Sequence, residues 1–143
     1  MRMFGAAAVF AAVLALYVAP SVAQLQSSEY VIVANKQVQG ASINLAALKG
    51  IYLRELRTWS GGEEIIPVDL SSATNFYQNL FGKSYLQMQA YWLNMRIKYS
   101  VGLPVTKRDA EAVKRFIVDN KGAIGFLKNS DIDDRVKVLK LVN

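Results

Sequence analysis

The stretch that decides the fold is YVIVA, residues 30–34, a nearly continuous apolar run. Such a run is typical of a β-strand that is covered on both faces. After a polar loop, Asn44 can cap a helix whose apolar residues lie on one face: Leu45, Leu48, Ile51 and Tyr52. Strand character returns from Glu64 to Leu70, where Pro67 is typical of an edge or irregular strand.

The rest of the chain extends this alternation of strands and helices. It predicts a short helix from the Ser71–Thr74 segment to Gly82, and a long one from Tyr85 to about Tyr99, capped by Ser84 and largely buried. A third helix runs from a Thr106 cap to Asn120, with Gly122 as the left-handed stop, before strands at 123–127 and 136–142. The order β-α-β-α-α-α-β-β predicts an α/β fold, a mixed central sheet flanked by helices. Its expected core centres on Leu48, Ile51, Ile66, Trp92, Ile117, Ile124 and Val138.

The first 23 residues have the pattern of an export signal. Arg2 gives a positive start, residues 5–19 are apolar, and Ser21 and Ala23 are small residues before a cleavage point. The alternative is an uncleaved anchor, but the apolar run is shorter than the roughly 20 residues of a membrane span. We therefore expect a signal peptide at 1–23, a periplasmic domain at 24–143, and no membrane span after cleavage.

Composition limits the chemistry that this domain can perform. The chain has no cysteine and no histidine, which excludes thiol catalysis, Ser-His-Asp arrangements and the commonest metal ligands. Its carboxylates are scattered along the sequence, so a carboxylate-dependent hydrolase is only a minor alternative. We predict a protein that is not an enzyme and that has no cofactor and no metal site.

The net charge of +6 does not by itself indicate a nucleic-acid partner. Basic and acidic residues are interleaved around the third predicted helix, and the Glu111–Arg115 spacing is that of an i,i+4 pair. This pattern predicts a solvated helix face, so no nucleic-acid partner is expected.

Several phrases, in order, resemble the phosphate-binding subunits of ABC importers. That family has L-x-x-I-F-L-G-K, R-W-S/N-G, P-V-D, F-Y, L-G-K-S, Y-W and G-A-I-G-Y/F in succession. The matching text is LKGIYLRE at 48–55, RTWSGG at 57–62, PVD at 67–69, FY at 76–77, FGKS at 81–84, YW at 91–92 and GAIGF at 122–126. The resemblance implies one lobe of a type II periplasmic-binding-protein fold.

The resemblance also implies a ligand site after the PVD phrase. Family members carry R-S-D-G-S-G-T there, and Ser72, Ala73 and Thr74 match its S-G-T part. Val68 stands in place of the arginine and Leu70 in place of the aspartate. The implied ligand-binding residues are Ser71, Ser72, Thr74 and Asn75, although helix capping is the favoured explanation of the Ser71, Ser72 and Thr74 hydroxyls.

Two functions remain open at this point. The first is an exported solute-binding-like protein, related to phosphate transporter subunits, that binds a small anion such as phosphate. The second is a ligand-free interaction module of an envelope assembly, with an aromatic surface drawn from Tyr52, Trp59, Tyr91 and Trp92. A single lobe provides half a cleft, so tight ligand capture would need a homodimer, an envelope protein partner, or a ligand held on an open surface.

Overall fold

The computed structural model describes residues 29–143, and the expected signal peptide at 1–23 lies outside them. No helix within 29–143 has the length and apolar character needed to cross a membrane. Within residues 29–143, six strands and four α-helices follow one another, with a short 3-10 helix at Asn129–Asp131 before the last strand. In chain order they are β1 Tyr30–Ala34, β2 Ser42–Asn44, α1 Leu45–Tyr52, β3 Ile66–Leu70, α2 Asn75–Phe81, α3 Tyr85–Tyr99, β4 Val105–Lys107, α4 Ala110–Asp119, β5 Ala123–Lys128 and β6 Lys137–Val142.

The strands form one mixed sheet in the order β2-β6-β1-β5-β3-β4. β1 is antiparallel to both of its neighbours, β5 and β6, whereas the β2–β6, β3–β5 and β3–β4 pairs are parallel. Five strands therefore share one direction, and their carboxyl ends meet at one edge. The predicted α/β class, a mixed central sheet flanked by helices, is confirmed.

The core is built around the central strands and an aromatic cluster. Val33 and Ala34 of β1 are fully buried, as the apolar run predicts, and Ile124 of β5 pairs with Ala34. The rings of Phe76 and Phe126 stack with centroids 3.6 Å apart. Three tyrosine rings meet Phe126 edge-on: Tyr30, Tyr52 and Tyr77.

Helix caps were predicted in part. Asn44 and Ser84 accept hydrogen bonds from the backbone N–H groups of Ala47 and Gln87, as expected. The prediction that Thr106 caps a helix is wrong, because Thr106 lies in β4 and Asp109 is the cap of α4. β4 and β2 are three-residue edge strands that the sequence analysis did not predict.

The largest correction concerns α3. We expected this helix to be buried around most of its circumference, yet Met88 and Trp92 are its only fully buried residues. Leu86, Leu93 and Ile97 are 74%, 54% and 72% exposed. Only one side of α3 packs on the core within residues 29–143, so its opposite apolar face lies in solvent.

Two further expectations about single residues are wrong. Val138 was assigned to the core but is exposed, and Leu139 and Leu141 face the core instead, because neighbouring strand residues point to opposite faces. Gly122 does not have the left-handed backbone of a helix stop, since α4 ends at an extended Asn120. Its role is a close backbone approach to Glu64.

Candidate functional site

The carboxyl edge of the sheet carries a cleft of about 560 Å³. It lies where β3 and β5 end and α4 begins, and loops at this edge are where open α/β sheets usually bind ligands. Six polar or charged residues of its wall come from three segments of the chain: Ser72, Asp109, Glu111, Arg115, Lys128 and Asp131.

The four predicted ligand residues follow β3 directly but do not all face this cleft. Ser72 lines it, whereas Ser71, Thr74 and Asn75 are not among its lining residues. α2 begins at Asn75, later than the sequence analysis expected. Thr74 occupies the N-cap position without any side-chain capping bond, so the explanation of Thr74 as a helix cap is wrong.

The turn before α2 is held by backbone hydrogen bonds. The Ser71 N–H donates to the Lys107 carbonyl at 2.9 Å, and the Ala73 N–H donates to the Leu70 carbonyl at 2.9 Å. Ser72 and Thr74 are exposed, and their hydroxyls make no hydrogen bond within residues 29–143. The backbone thus fixes the turn, and both hydroxyls are free to bind a solute.

A buried carboxylate anchors the helices to the end of β3. Asp69 is fully buried and accepts hydrogen bonds from the hydroxyls of Tyr77 at 2.6 Å, Tyr85 at 2.5 Å and Thr106 at 3.2 Å. Burial raises the pKa of Tyr77 well above its usual range, and electrostatic interactions with Tyr52 and Asp69 raise this pKa further. The phenols therefore stay protonated and keep donating, which holds α2, α3 and β4 in place beside the cleft.

The cleft has cations that the sequence analysis did not assign to it. Arg115 of α4 lines the cleft, is exposed, and has no ion pair within the described part of the chain. Lys128 at the end of β5 lies 4.0 Å from Glu29, measured from Nζ to Oε1. Val68, where the resembled family has arginine, is buried. Arg115 is thus the one arginine that lines the same cleft as Ser72 within residues 29–143.

Arg115 was missed because its spacing from Glu111 suggested an ion pair. In the structure Glu111 instead pairs with Arg135, at 2.6 Å from Oε1 to Nη1, and more loosely with Lys114 at 3.5 Å. The hydrogen bond from Arg135 lowers the pKa of Glu111 to about 2, and the charges of Arg135 and Lys114 also lower it. Only the fold, which brings Arg135 from the turn before β6 to Glu111, leaves Arg115 without this partner.

Two acidic residues of the cleft already have partners within the protein. Asp109 accepts a hydrogen bond from the Ala112 N–H as the cap of α4, and Glu111 is held by Arg135. Residues 29–143 contain no group of three acidic, cysteine or histidine side chains that could hold a metal ion. Hydroxyls, an arginine and a lysine can hold an anion by charge and hydrogen bonds.

Comparison with known proteins gives similarity in structure but not in sequence. No family model matches the chain, and no curated protein matches it. Similar solved structures include an ABC-type phosphate transport receptor from Vibrio cholerae (16% identity, TM-score 0.56), PstS from Borrelia burgdorferi (13%, 0.57) and a possible phosphate binding protein from Planctomyces limnophilus (17%, 0.60). They cover 79%, 79% and 80% of this chain.

These matches define the class of fold. The chain has a periplasmic-binding-protein-like α/β fold, and the resemblance stated from its sequence is confirmed at that level. It spans 46%, 47% and 42% of the three chains in the same order, which is consistent with a single lobe.

Proposed function

We propose that this chain is a solute-binding-like protein that holds a small anion, such as phosphate, in the cleft beside Ser72, and that it works in the periplasm after cleavage behind Ala23. The observation that carries the proposal is the free hydroxyl of Ser72 and the unpaired Arg115 in one cleft at the carboxyl edge of the sheet. Within the cleft the proposed binding groups are Ser72 and Arg115, which provides the charge that Val68 lacks. Ser71, Thr74 and Asn75 are proposed to contribute from the turn next to it. Nothing in this set acts as an activated nucleophile, which favours binding over catalysis.

Binding at this cleft is expected to be weak. The cleft is one half of a two-lobed site, so solvent competes for the anion on its open side. We expect dissociation constants between micromolar and millimolar, which correspond to about −8 to −4 kcal/mol. Because the cation is exposed, affinity should fall as salt is added.

The double variant Ser72→Ala/Thr74→Val tests the proposal. Removing both hydroxyls should weaken phosphate binding by about tenfold or more, since each hydrogen bond to a charged group contributes about 1.5–3 kcal/mol. Calorimetric titration of phosphate, sulfate and organic anions into both proteins measures this. Ser42→Ala on the far edge strand β2 is the matched control and should bind as the wild type does. Unchanged affinity in the double variant, with circular dichroism showing an intact fold, would contradict the proposed site.

A specific observation also favours the second function, an interaction module. The prediction of an aromatic surface for the interaction module is wrong in part, because Tyr52 and Trp92 are buried. The exposed face of α3 replaces it: four residues opposite the core repeat at alternating spacings of four and three, namely Leu86, Ala90, Leu93 and Ile97. This is the spacing of a coiled-coil seam. The helix carries no acidic residue, and its two cations, Arg96 and Lys98, lie in its last turn.

The partner that suits this seam is a second copy of the chain with its α3 antiparallel. Two-fold symmetry would then place Leu86 against Ile97 of the other copy and keep the two Arg96 side chains apart. A parallel pair would bring them together.

Leu93→Lys tests this homodimer. The side chain is 54% exposed, so the substitution should leave the fold intact while placing a charge in the seam. We expect sedimentation velocity at micromolar concentration to show a dimer for the wild type and a monomer for Leu93→Lys. Asn94→Lys, which adds the same charge beside the seam, should remain dimeric. A monomeric wild type would exclude this form of the interaction module.

A further inference from the structure

A second cleft, of about 440 Å³, lies at the opposite, amino edge of the sheet. One wall is the segment that follows α1, and the other is the end of α3 and the chain leading into β4. Its lining residues are Arg54, Glu55, Arg57, Met95, Tyr99 and Val101. None of them lines the cleft beside Ser72.

Arg54 is unusual in how it is buried. The residue is only 6% exposed, and its Nε donates to the Gly102 carbonyl at 2.8 Å. Its Nη1 is buried and has no hydrogen-bond partner within residues 29–143. Buried polar groups are nearly always hydrogen-bonded, and a charged group without its acceptors is especially unfavourable. The guanidinium therefore lacks acceptors that a ligand could provide.

The backbone at Arg54 is also unfavourable for a residue with a side chain. Its φ of 61° is in the left-handed region, where glycine is the usual residue. In the phrase LKGIYLRE, Arg54 stands where the resembled pattern L-x-x-I-F-L-G-K has that glycine. Hydrogen bonds from Arg54 N–H to the Ile51 carbonyl and from Glu55 N–H to the Gly50 carbonyl hold the turn. A strained backbone and an unsatisfied charge thus meet at one residue, and glycine would remove both.

Charged groups of both signs act on Arg54. Burial lowers the pKa of the Arg54 guanidinium, Glu64 raises this pKa and Arg57 lowers it again. The Arg57 guanidinium is therefore close enough to repel that of Arg54. Within residues 29–143, neither arginine has a carboxylate within ion-pair distance. Glu55 lines the same cleft but is exposed and pairs with neither.

We infer that Arg54 and Arg57 form an oxyanion site at the amino edge of the sheet, which takes a phosphate or carboxylate group. Arginine presents planar N–H donors that match two oxygens of either group, and an anion there would supply acceptors to Arg54 and separate the two like charges. Met95 and Tyr99 give the cleft an apolar side, so the oxyanion can be inorganic or part of a small organic molecule. This site is additional to the one proposed beside Ser72.

Arg54→Gly is the decisive variant, because it removes the guanidinium and suits the left-handed backbone. We expect NMR titration of the wild type with inorganic phosphate to shift the amides of Val101 and Gly102 saturably. In Arg54→Gly these shifts should disappear or need about tenfold more phosphate, while those at 71–75 remain. Titration with phenyl phosphate and with acetate distinguishes an organic phosphate or a carboxylate from the inorganic ion.

Two more variants separate this inference from the proposed function. Ser72→Ala/Thr74→Val should leave the shifts at Gly102 intact, and Arg54→Lys, which keeps the charge without the planar donors, should weaken them. Equal shifts at Gly102 in the wild type and Arg54→Gly, or none with any of the three anions at millimolar concentration, would overturn the Arg54 site. The same outcome would leave the Ser72 site standing if the amides at 71–75 still respond.

Discussion

Replacing Gly122 with alanine is expected to lower the free energy of unfolding by about 3 kcal/mol or more, at the upper end for overpacked sites. A Cβ at this position would lie 1.8 Å from the carbonyl oxygen of Glu64 and 3.0 Å from its carbon. Both atoms belong to the backbone, so no side-chain rotation can relieve the contact. Gly122 must remain a glycine because another segment of the chain passes against it.

The segments that meet at Gly122 cannot separate easily either. The Gly122 carbonyl accepts hydrogen bonds from the Ile66 N–H at 3.0 Å and from the Trp59 indole at 3.1 Å. Moving Gly122 away from Glu64 would weaken both bonds and disturb the start of the β3–β5 pairing.

Urea denaturation of Gly122→Ala and Gly61→Ala measures the effect. A Cβ at Gly61 would meet no atom within 4 Å, and its backbone is outside the left-handed region. Its substitution should therefore change the stability by no more than about 0.5 kcal/mol. Similar urea denaturation midpoints for Gly122→Ala and Gly61→Ala would contradict the close backbone approach at Gly122.

The sequence was sufficient for the fold class because the central strands are marked by composition. The apolar runs of β1 and β5 and the helices between strands predict a covered mixed sheet without any structure. β2 and β4 were missed because SIN and VTK are too short, and too polar, to stand out from loops. The resemblance to phosphate-binding subunits added the correct fold where no family model matches.

Sequence patterns predicted least well which side of a helix or strand faces the core. The apolar residues of α3 surround the helix, and composition alone cannot tell which side has a covering layer. In β6, Val138 and Leu139 are both apolar neighbours, and only one of the two can face the core. Leu139 does, on the same sheet face as its β1 partner Ile32, whereas Val138 lies on the opposite face beside Val33 and is exposed.

The candidate sites show why local spacing could mislead. The position of Ser72 could be predicted from the adjacent PVD sequence, whereas Arg115 reaches the same cleft from a helix some forty residues later in the chain. The proposed role of Arg115 in anion binding depends on the ion pair between Arg135 and Glu111, which lie 24 residues apart in the sequence. Arg54 gave no signal at all except the arginine in place of a glycine.

Phe126 is the residue whose truncation should cost most in the core, about 3–5 kcal/mol as for buried phenylalanines in general. It is fully buried in β5, and its ring stacks on Phe76 while meeting Tyr52 and Tyr77 edge-on. Phe126→Ala removes the shared partner of these rings and leaves a cavity between β5, α1 and α2. The lost stability includes the ring–ring contacts of Phe126 with its aromatic neighbours, which alanine cannot make.

Phe116→Ala is the matched control, because Phe116 on α4 is half-buried and lies outside the aromatic cluster. We expect equilibrium unfolding in urea to give a loss for Phe126→Ala at least about twice that for Phe116→Ala. Phe126→Leu, which refills most of the volume, should recover a large part of the difference. Since α2 rests on this cluster through Phe76 and Tyr77, Phe126→Ala should also weaken any anion binding beside Ser72. Equal losses for the two alanine variants would show that the cluster is not the centre of the core.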